Sequence, residues 1–205
     1  WKRIFQVLQA RHYKAAFIQR GLFPFYYDQK TPHLEKLLRK LCDNITIDFW
    51  DAVWINNPIL IKNTVKYVDK ISVVNDYGKE YFNFASASKH FFPIGVNTDK
   101  YIPKKDYTLN NPITFIYTGL PENVKQFLTI IKPILLEIQK KYPLKLILIT
   151  RTDFYDPDIT IECHRFSEST FFSLLHQADI GLYAVEQDDY SKGKMAMKVL
   201  DYMTT

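Results

Sequence analysis

The sequence predicts an α/β fold with two parallel sheets, one after the other along the chain. Predicted strands and helices alternate over the 205 residues, and a charged, proline-containing stretch at residues 98–111 interrupts the alternation. Strands that alternate with helices are typical of parallel sheets covered by helices. Hydrophobic residues make up 47% of the chain and aromatic residues 16%, which indicates a globular protein with a buried core.

The first part of the alternation, residues 1–97, contains four predicted strands. They are short hydrophobic runs at residues 15–19, 45–49, 70–74 and 90–94. Leu34, Leu37, Leu38 and Leu41 recur with a helical period, and Pro58 suits the first turn of a helix. The predicted helices are residues 1–14, 33–43, 58–68 and 76–84, and an aromatic, proline-containing loop is predicted at residues 20–32.

The second part, residues 112–205, starts the pattern again, so residues 98–111 are predicted to be a linker between two domains. Its predicted strands are residues 113–117, 144–150, 159–162 and 180–183. Its predicted helices are residues 122–141, a helix capped by Ser167, and residues 194–203 with an apolar stripe at Ala196, Val199, Leu200 and Met203. A doubly wound domain contains about five or six strands, so we expect both domains to be incomplete in this chain.

The composition excludes several classes of protein. The formal net charge is +5, but the basic residues are scattered and accompany no nucleic-acid motif. The charge therefore favours a phosphate-bearing ligand or an anionic membrane surface over nucleic acid. Cys42 and Cys163 are too few for a disulfide framework or a zinc site, and they indicate buried thiols in a reducing cytosol. We therefore expect a cytoplasmic protein, and the sequence shows neither an apolar run of about 20 residues nor a signal peptide.

A first candidate site follows the strand predicted at residues 113–117. Open α/β sheets bind ligands at the carboxyl ends of their strands, and Gly119 and Lys125 lie between this strand and a long helix. Gly119 permits a tight turn, the helix N-terminus offers free N–H groups to an anion, and Lys125 adds positive charge. The alternative is an ordinary turn with a solvated lysine.

A second candidate is the helix predicted at residues 194–203. Lys194, Lys198 and Asp201 are spaced to lie along one face of it. Cations near a helix N-terminus are unfavourable for the helix dipole, so a bound anion would explain two lysines there. A solvated charged face with helical ion pairs explains the same pattern.

Two further groups of polar residues follow predicted strands. The loop with His164 and Arg165 is predicted to contact a base or ribose through its backbone, although a lone histidine is also a common structural residue. Asp48 and Asp51 suit acid–base chemistry or a metal, but such a pair also commonly orients a turn. The sequence contains no P-loop, nucleophile elbow or metal-binding motif, so we predict no metal and no cofactor and name no catalytic residue.

Several segments together resemble the retaining glycosyltransferases of family 4. The run Asp-Lys-Ile-Ser-Val-Val-Asn, which begins at Asp69, and the run Phe-Phe-Pro-Ile-Gly-Val-Asn-Thr-Asp-Lys-Tyr, which ends at Tyr101, are similar to the junction between the two domains of that family. The run Lys-Val-Leu-Asp-Tyr-Met from Lys198 resembles its Lys-Leu-Leu-Glu-Tyr-Met helix. With Ser-Lys-Gly-Lys from Ser191 before it, the chain resembles a divergent branch of the family.

The resemblance implies a GT-B fold, in which two Rossmann-like domains face each other. Residues 1–97 then form the C-terminal part of the acceptor-side domain, and residues 112–205 the first part of the donor-binding domain. The site residues that the resemblance implies are Gly119, Lys125, Lys194 and Lys198 for the donor diphosphate, Asp201 and Gly193 for its ribose and sugar, and His164 and Arg165 for its base. Gly193 departs from the family, which has a glutamate at that position.

The activity implied is the transfer of a hexosyl group, with retention, from a nucleotide-sugar to a glycan or lipid-linked acceptor. The resemblance places it in polysaccharide or cell-surface glycan biosynthesis, in the cytoplasm or at the inner face of the membrane, with peripheral membrane association. Lysines and helix N-termini would neutralise the leaving diphosphate without a metal. Two alternatives remain open, a non-catalytic protein that binds nucleotide-sugars, which Gly193 supports, and a sugar-nucleotide 2-epimerase.

Overall fold

The computed structural model describes residues 2–22 and 29–205. The chain divides into two compact units, one made of the residues up to Ile94 with Gln187–Met195, and the other of Gly95–Glu186 with Ala196–Thr205. Residues 98–111, predicted to be a linker, are thus grouped with the second unit. Trp1 and much of the predicted aromatic loop, residues 23–28, lie outside the described residues.

The first unit contains one parallel sheet of four strands in sequential order, β1-β2-β3-β4. Ile47 of β2 is in register with Ile18 of β1 and Ile71 of β3. The elements are α1 (Lys2–Gln9), β1 (Ala16–Gln19), α2 (His33–Arg39), β2 (Ile45–Phe49), α3 (Pro58–Thr64), β3 (Lys70–Val73), α4 (Asp76–Tyr81) and β4 (Ser88–Phe91).

The core of this unit is formed by one face of the sheet and the helices that pack on it. Alternate side chains of β2 at Ile45, Ile47 and Phe49 are fully buried, and they share a cluster with side chains from α2 and α3. The Phe49 ring stacks on Phe82 with centroids 4.9 Å apart. Burying each such side chain contributes about 1.5–3 kcal/mol, so these alternating positions hold the unit together.

Two asparagines set where helices of the first unit begin. The Asn57 side chain accepts a hydrogen bond from Leu60 N at 3.0 Å, directly before Pro58 in the first turn of α3. The Asn75 side chain accepts one from Gly78 N at 3.0 Å and caps α4. An N-cap of this kind satisfies a backbone N–H that has no partner within the helix.

The second unit contains a parallel sheet with the order β7-β6-β5-β8. The chain adds β6 and β7 on one side of β5 and then returns to add β8 on the other side. The elements are β5 (Ile113–Thr118), α5 (Pro121–Gln139), β6 (Leu144–Ile149), β7 (Ile161–His164), α6 (Glu168–Gln177) and β8 (Ile180–Gly181).

Helices cover both faces of this second sheet. On one face Phe115 and Tyr117 of β5 pack in a cluster with Phe127 of α5. On the other face Ile116 packs in a cluster with Leu174 of α6. This is the doubly wound arrangement, and the predicted α/β class with two Rossmann-like parallel sheets is confirmed.

The segment between β4 and β5 is tied to the second unit by polar contacts. The Asp179 side chain accepts hydrogen bonds from Thr114 N at 2.7 Å and from Asn110 Nδ2 at 2.8 Å. Lys104 Nζ donates to the Ala178 carbonyl at the end of α6. These contacts explain why residues 98–111 group with this unit, although their composition is that of a linker.

The helix predicted at residues 194–203 is present as α8 (Met197–Tyr202), but its predicted start is wrong. A separate short helix, α7 (Asp189–Lys192), precedes it and belongs to the first unit, whereas α8 belongs to the second. The Asp188 side chain caps α7 by accepting from Ser191 N at 2.7 Å. Gly193 follows the end of α7, and Ala196 has a ψ of 60°, outside the helical range, so α8 begins only at Met197.

The helices in the described part of the chain are all too short or too polar to cross a lipid bilayer.

Asp69 joins three elements of the first unit. Its Oδ2 accepts hydrogen bonds from Ile45 N at 2.8 Å and from Arg39 Nη1 at 2.6 Å. Burial by itself would raise the pKa of this carboxyl group. The hydrogen bonds from Ile45 and Arg39 outweigh it, so the pKa lies below its usual value.

We predict that Asp69→Asn lowers the free energy of unfolding at pH 7 by about 1 kcal/mol. The effect is small because the Arg39–Asp69 pair is partly exposed and solvent screens it. A lowered carboxyl pKa stabilises the protein above the pKa of the unfolded chain, about 3.9, and this contribution is lost as the pH falls through the folded pKa. Urea denaturation at pH 7 and in acid should therefore show the difference shrinking in acid. The control Asp43→Asn, at an exposed residue, should change little, and equal effects of both variants would refute the prediction.

Candidate functional site

The strand order of the second unit reverses between β5 and β8. β6 and β7 follow β5 on one side of it, and β8 pairs with β5 on the other side. In open α/β sheets this point of reversal forms a crevice at the carboxyl ends of the strands, where ligands bind. The candidate site is therefore built from the segments that follow β5 and β8, and from α8.

Gly119 forms the turn that follows β5. Its N–H donates to the Ile149 carbonyl at 3.0 Å. A Cβ atom at this position would lie 3.0 Å from Cε1 of Tyr117 and 3.4 Å from Cβ of Asn123. The position therefore favours glycine because the turn passes close to a buried aromatic ring.

The N-terminus of α5 opens directly from this turn. The N-cap residue is Leu120, and no side chain caps the first turn of this 19-residue helix. The first-turn N–H groups, which have no partner within a helix, are thus left to water or to an anionic ligand. Lys125 lies in the second turn and is exposed. The structure thus brings the predicted residues Gly119 and Lys125 to the same end of one helix.

Lys198 of α8 lies between two tyrosine rings of the second unit. Its Nζ is 5.0 Å from the ring centroid of Tyr117 and 5.5 Å from that of Tyr183. A lysine ammonium at this distance from an aromatic ring is attracted to it. Burial, with a smaller contribution from Tyr183, raises the pKa of Tyr117 to about 12, so the ring beside Lys198 stays neutral.

Asp201 lies one turn after Lys198 on α8. Its Oδ1 accepts a hydrogen bond from the hydroxyl group of Tyr101. Burial raises the pKa of Asp201, and the hydrogen bond from Tyr101 and the charge of Lys198 oppose that rise in part. Asp201 is therefore a half-buried carboxylate close to a lysine of the same helix.

Gly181 allows α8 to pack on the sheet. A Cβ atom at this position would overlap the ring of Tyr202, so only glycine lets that ring pack on β8. The Tyr202 hydroxyl group is buried, close to the backbone of Thr118. This contact determines how α8 lies against the carboxyl ends of β5 and β8.

Lys194 and Gly193 do not lie on α8, and the predicted common face of Lys194, Lys198 and Asp201 is wrong. Both residues belong to the first unit. Lys194 Nζ lies 4.3 Å from the ring centroid of Tyr190. The helical spacing failed as a guide here because the chain between Lys192 and Met197 is not helical.

Gly193 is held by close packing within the first unit. A Cβ atom at residue 193 would lie 2.5 Å from Cβ of Ala52 and 3.0 Å from Cζ2 of Trp54. The Asn75 side chain donates to the carbonyl groups of Lys192 at 2.9 Å and Lys194 at 3.3 Å. A glutamate at residue 193 does not fit this packing.

His164 and Arg165 follow β7, an edge strand that β6 separates from β5. His164 Nε2 lies 2.8 Å from Glu162 Oε1, and this hydrogen bond is the main cause of the lowered pKa of Glu162. Arg165 is exposed, with Nη2 3.9 Å from a carboxylate oxygen of Asp153. His164 is thus engaged with its own strand, and contact of this loop with a base stays a prediction.

The aspartate pair of the first unit is divided between two roles. Asp51 accepts an ion-paired hydrogen bond from Arg20 at 2.6 Å, which orients the loop after β1. Asp48 is buried in β2, in register with Ser72. Within residues 2–22 and 29–205, His, Cys, Asp and Glu side chains form no group of three that could hold a metal ion.

A polar cavity of about 820 Å³ lies at the opposite, amino edge of the second sheet. Its lining includes Lys104 and Asn110, which donate to the carbonyl groups of Ala178 and Gln177 at the end of α6. Lys145, also in the lining, pairs with Glu162 at 3.2 Å. These polar groups have structural partners, so the candidate site remains at the carboxyl edge.

The sequence did not reveal four contributors to the site: Tyr101, Tyr117, Gly181 and Tyr183. Gly181 carried a signal, because an isolated glycine in a strand marks a close approach of another group. The tyrosines carried none, since Tyr101 and Asp201 are 100 residues apart and no local pattern encodes their contact.

No protein-family model and no curated protein matches the sequence. Among solved structures, the chain is similar to one described as the crystal structure of a GtfA/B complex, with a TM-score of 0.45 and 12% identity. The alignment covers 80% of this chain and 37% of that one, so the chain spans well under half of its length.

We predict that Gly193→Ala destabilises the protein by about 1–3 kcal/mol, because the added methyl group overlaps Ala52 in a packed core. The matched control is Gly95→Ala, since a Cβ atom at that residue meets nothing within 4 Å. Chemical denaturation of the parent and both variants measures the effect. Equal stability of the two variants would show that residues 187–195 do not pack on Ala52 and Trp54 as described.

Proposed function

We propose that this chain belongs to a glycosyltransferase that transfers a hexosyl group, with retention, from a nucleotide-sugar donor to a glycan or lipid-linked acceptor. One observation carries the proposal. Lys198 of α8, with Asp201 on the same helix, lies 5.0 Å from the ring of Tyr117 in β5, and the turn at Gly119 and the uncapped N-terminus of α5 directly follow that strand. Such a set can bind the phosphates and the ribose of one nucleotide.

In this proposal the diphosphate lies at the carboxyl edge of β5. The N–H groups at the start of α5 would donate to phosphate oxygens, with Gly119 allowing close approach and Lys125 and Lys198 supplying charge. The negative charge that develops on the leaving diphosphate is then stabilised by groups already in place. Because these groups are cationic or positively polarised, we propose a mechanism that needs no metal.

The nucleoside would be held by the two remaining parts of the site. The half-buried carboxylate of Asp201 would accept hydrogen bonds from the ribose hydroxyl groups. The backbone of the loop at His164 and Arg165 would contact the base. The proposed contacts of Lys194 and Gly193 with the donor stay predictions, and both residues lie in the first unit.

The proposed domain arrangement, pathway and cellular location rest on the resemblance of the sequence to family-4 glycosyltransferases. We propose a GT-B arrangement in which residues 1–97 belong to the acceptor-side domain and residues 112–205 to the donor-binding domain. The pathway proposed is the synthesis of a polysaccharide or cell-surface glycan, in the cytoplasm or at the inner face of the membrane with peripheral membrane association.

The close packing of Gly193 favours one alternative, a protein that binds nucleotide-sugars without transferring them. A glutamate that would contact the donor sugar is absent, and Ala52 leaves no room for one. Incubation of the full-length protein with UDP-, GDP- and ADP-sugars and a glycan acceptor separates the two functions. Release of nucleoside diphosphate with a glycosylated product supports transfer, and saturable binding without release supports the alternative.

We predict that Lys198→Ala weakens the binding of a nucleoside diphosphate to the full-length protein by roughly 10- to 100-fold. A charge-assisted hydrogen bond to a phosphate oxygen is worth about 1.5–3 kcal/mol, at about 1.4 kcal/mol per tenfold change. The nucleoside alone should bind almost as before, because it carries no phosphate. Calorimetry with both ligands, chosen from the uracil, guanine and adenine series, measures the difference.

The matched control is Lys140→Ala, at an exposed lysine that follows the opposite end of α5 and pairs with Glu137. It should leave both affinities unchanged, since surface pairs contribute little. If Lys198→Ala binds the diphosphate as tightly as the parent does, then Lys198 does not contact the phosphates and the proposed phosphate site is wrong.

A further inference from the structure

Tyr101 is fixed in place by contacts on both sides of it. Lys100 Nζ forms an ion pair with Glu168 in the first turn of α6. The carbonyl group of Ile102 lies 3.1 Å from His176 Nδ1, near the end of the same helix. The backbone around Tyr101 is thereby held against α6.

The Tyr101 ring is packed as firmly as its backbone is held. It meets the Phe172 ring edge-on, with centroids 4.9 Å apart and an interplanar angle of 83°. Tyr101 and Phe172 both pack against the core cluster formed with Ile116 and Ile149 of the sheet. The direction of the hydroxyl group is therefore set by packing as well as by its hydrogen bond.

The hydroxyl group donates to Oδ1 of Asp201. Burial and the bond to Asp201 raise the pKa of Tyr101, so the tyrosine stays protonated and remains a donor throughout the physiological pH range. The bond holds Oδ1 of a carboxylate that is half-buried at the edge of the site, next to the charge of Lys198 on the same helix.

We infer that Tyr101 is the positioning residue that orients the Asp201 carboxylate towards the ribose hydroxyl groups of a bound nucleotide. The inference rests on the proposed function, and it adds a residue from the segment before β5 to the donor site on α8. Tyr101 acts through Asp201 and does not itself contact the nucleotide. A ligand without ribose hydroxyl groups therefore gains nothing from Tyr101.

The test is Tyr101→Phe in the full-length protein, which keeps the ring packing and removes only the hydroxyl group. Among UDP, GDP and ADP, the tightest ligand of the parent is compared by calorimetry with its 2′,3′-dideoxy analogue. We expect the variant to bind the ribonucleotide about tenfold more weakly, a change of about 1.4 kcal/mol. Its affinity for the dideoxy analogue should stay unchanged.

The pH profile of binding gives a readout that a merely structural role would not move. The titratable groups around Asp201 are Tyr101, with Lys198 and Tyr202 on its own helix. Removing the Tyr101 bond raises the pKa of Asp201 further, so the loss of ribonucleotide affinity in acid should begin at higher pH in the variant. The matched control is Tyr107→Phe, at a residue of the same segment with 73% of its surface exposed, which should shift neither affinity nor profile.

Three results would overturn the inference. Equal losses for the ribonucleotide and the dideoxy analogue would mean that Tyr101 supports only the fold. The variant could also bind the ribonucleotide as tightly as the parent, while the parent discriminates against the dideoxy analogue. This would show that Tyr101 does not position Asp201, and it would leave the proposed function intact. A parent that binds none of the three diphosphates, or that does not discriminate between the two sugars, would overturn the ribose assignment of Asp201 as well.

Discussion

The pairing of β8 with β5 determines where the candidate ligand contacts of the second unit lie. It is short: Ile180 and Gly181 are in register with Phe115 and Ile116, and Leu182 N donates to the Ile116 carbonyl at 2.9 Å. This pairing reverses the strand order, and open α/β sheets bind ligands at such a point, at the carboxyl ends of the strands. The pairing also includes Gly181. Because this residue has no side chain, Tyr202 packs on β8, and α8 lies against the sheet with its residues Lys198 and Asp201.

The architecture followed from the sequence because each strand is a short apolar run between polar turns. The strand predicted at residues 45–49 is β2 itself, and the strands of both sheets fall close to their predicted positions. Strand ends were less well predicted. The strand predicted at residues 180–183 stops at Gly181, because β8 pairs with β5 over only two residues. Such limits depend on a neighbouring strand and leave little trace in local composition.

The site was predictable only where its geometry is local. Lys198 and Asp201 are three residues apart on one helix, so their proximity follows from the helical period. Lys194 was placed on that helix by the same reasoning, and wrongly, because Gly193 ends α7 and packs against Ala52, a residue far away in the sequence. The glycine between two lysines was the available signal, since glycine commonly follows the end of a helix.

The first unit is discontinuous in the chain, and this has a consequence for its synthesis. Gly193 and its neighbours belong to a unit whose other residues end at Ile94. At about 5–20 residues per second, a ribosome needs on the order of ten seconds or more to proceed from Trp54 to Gly193. During that interval the nascent first unit lacks residues 187–195, so Ala52 and Trp54 are without the close contact that Gly193 later makes with them.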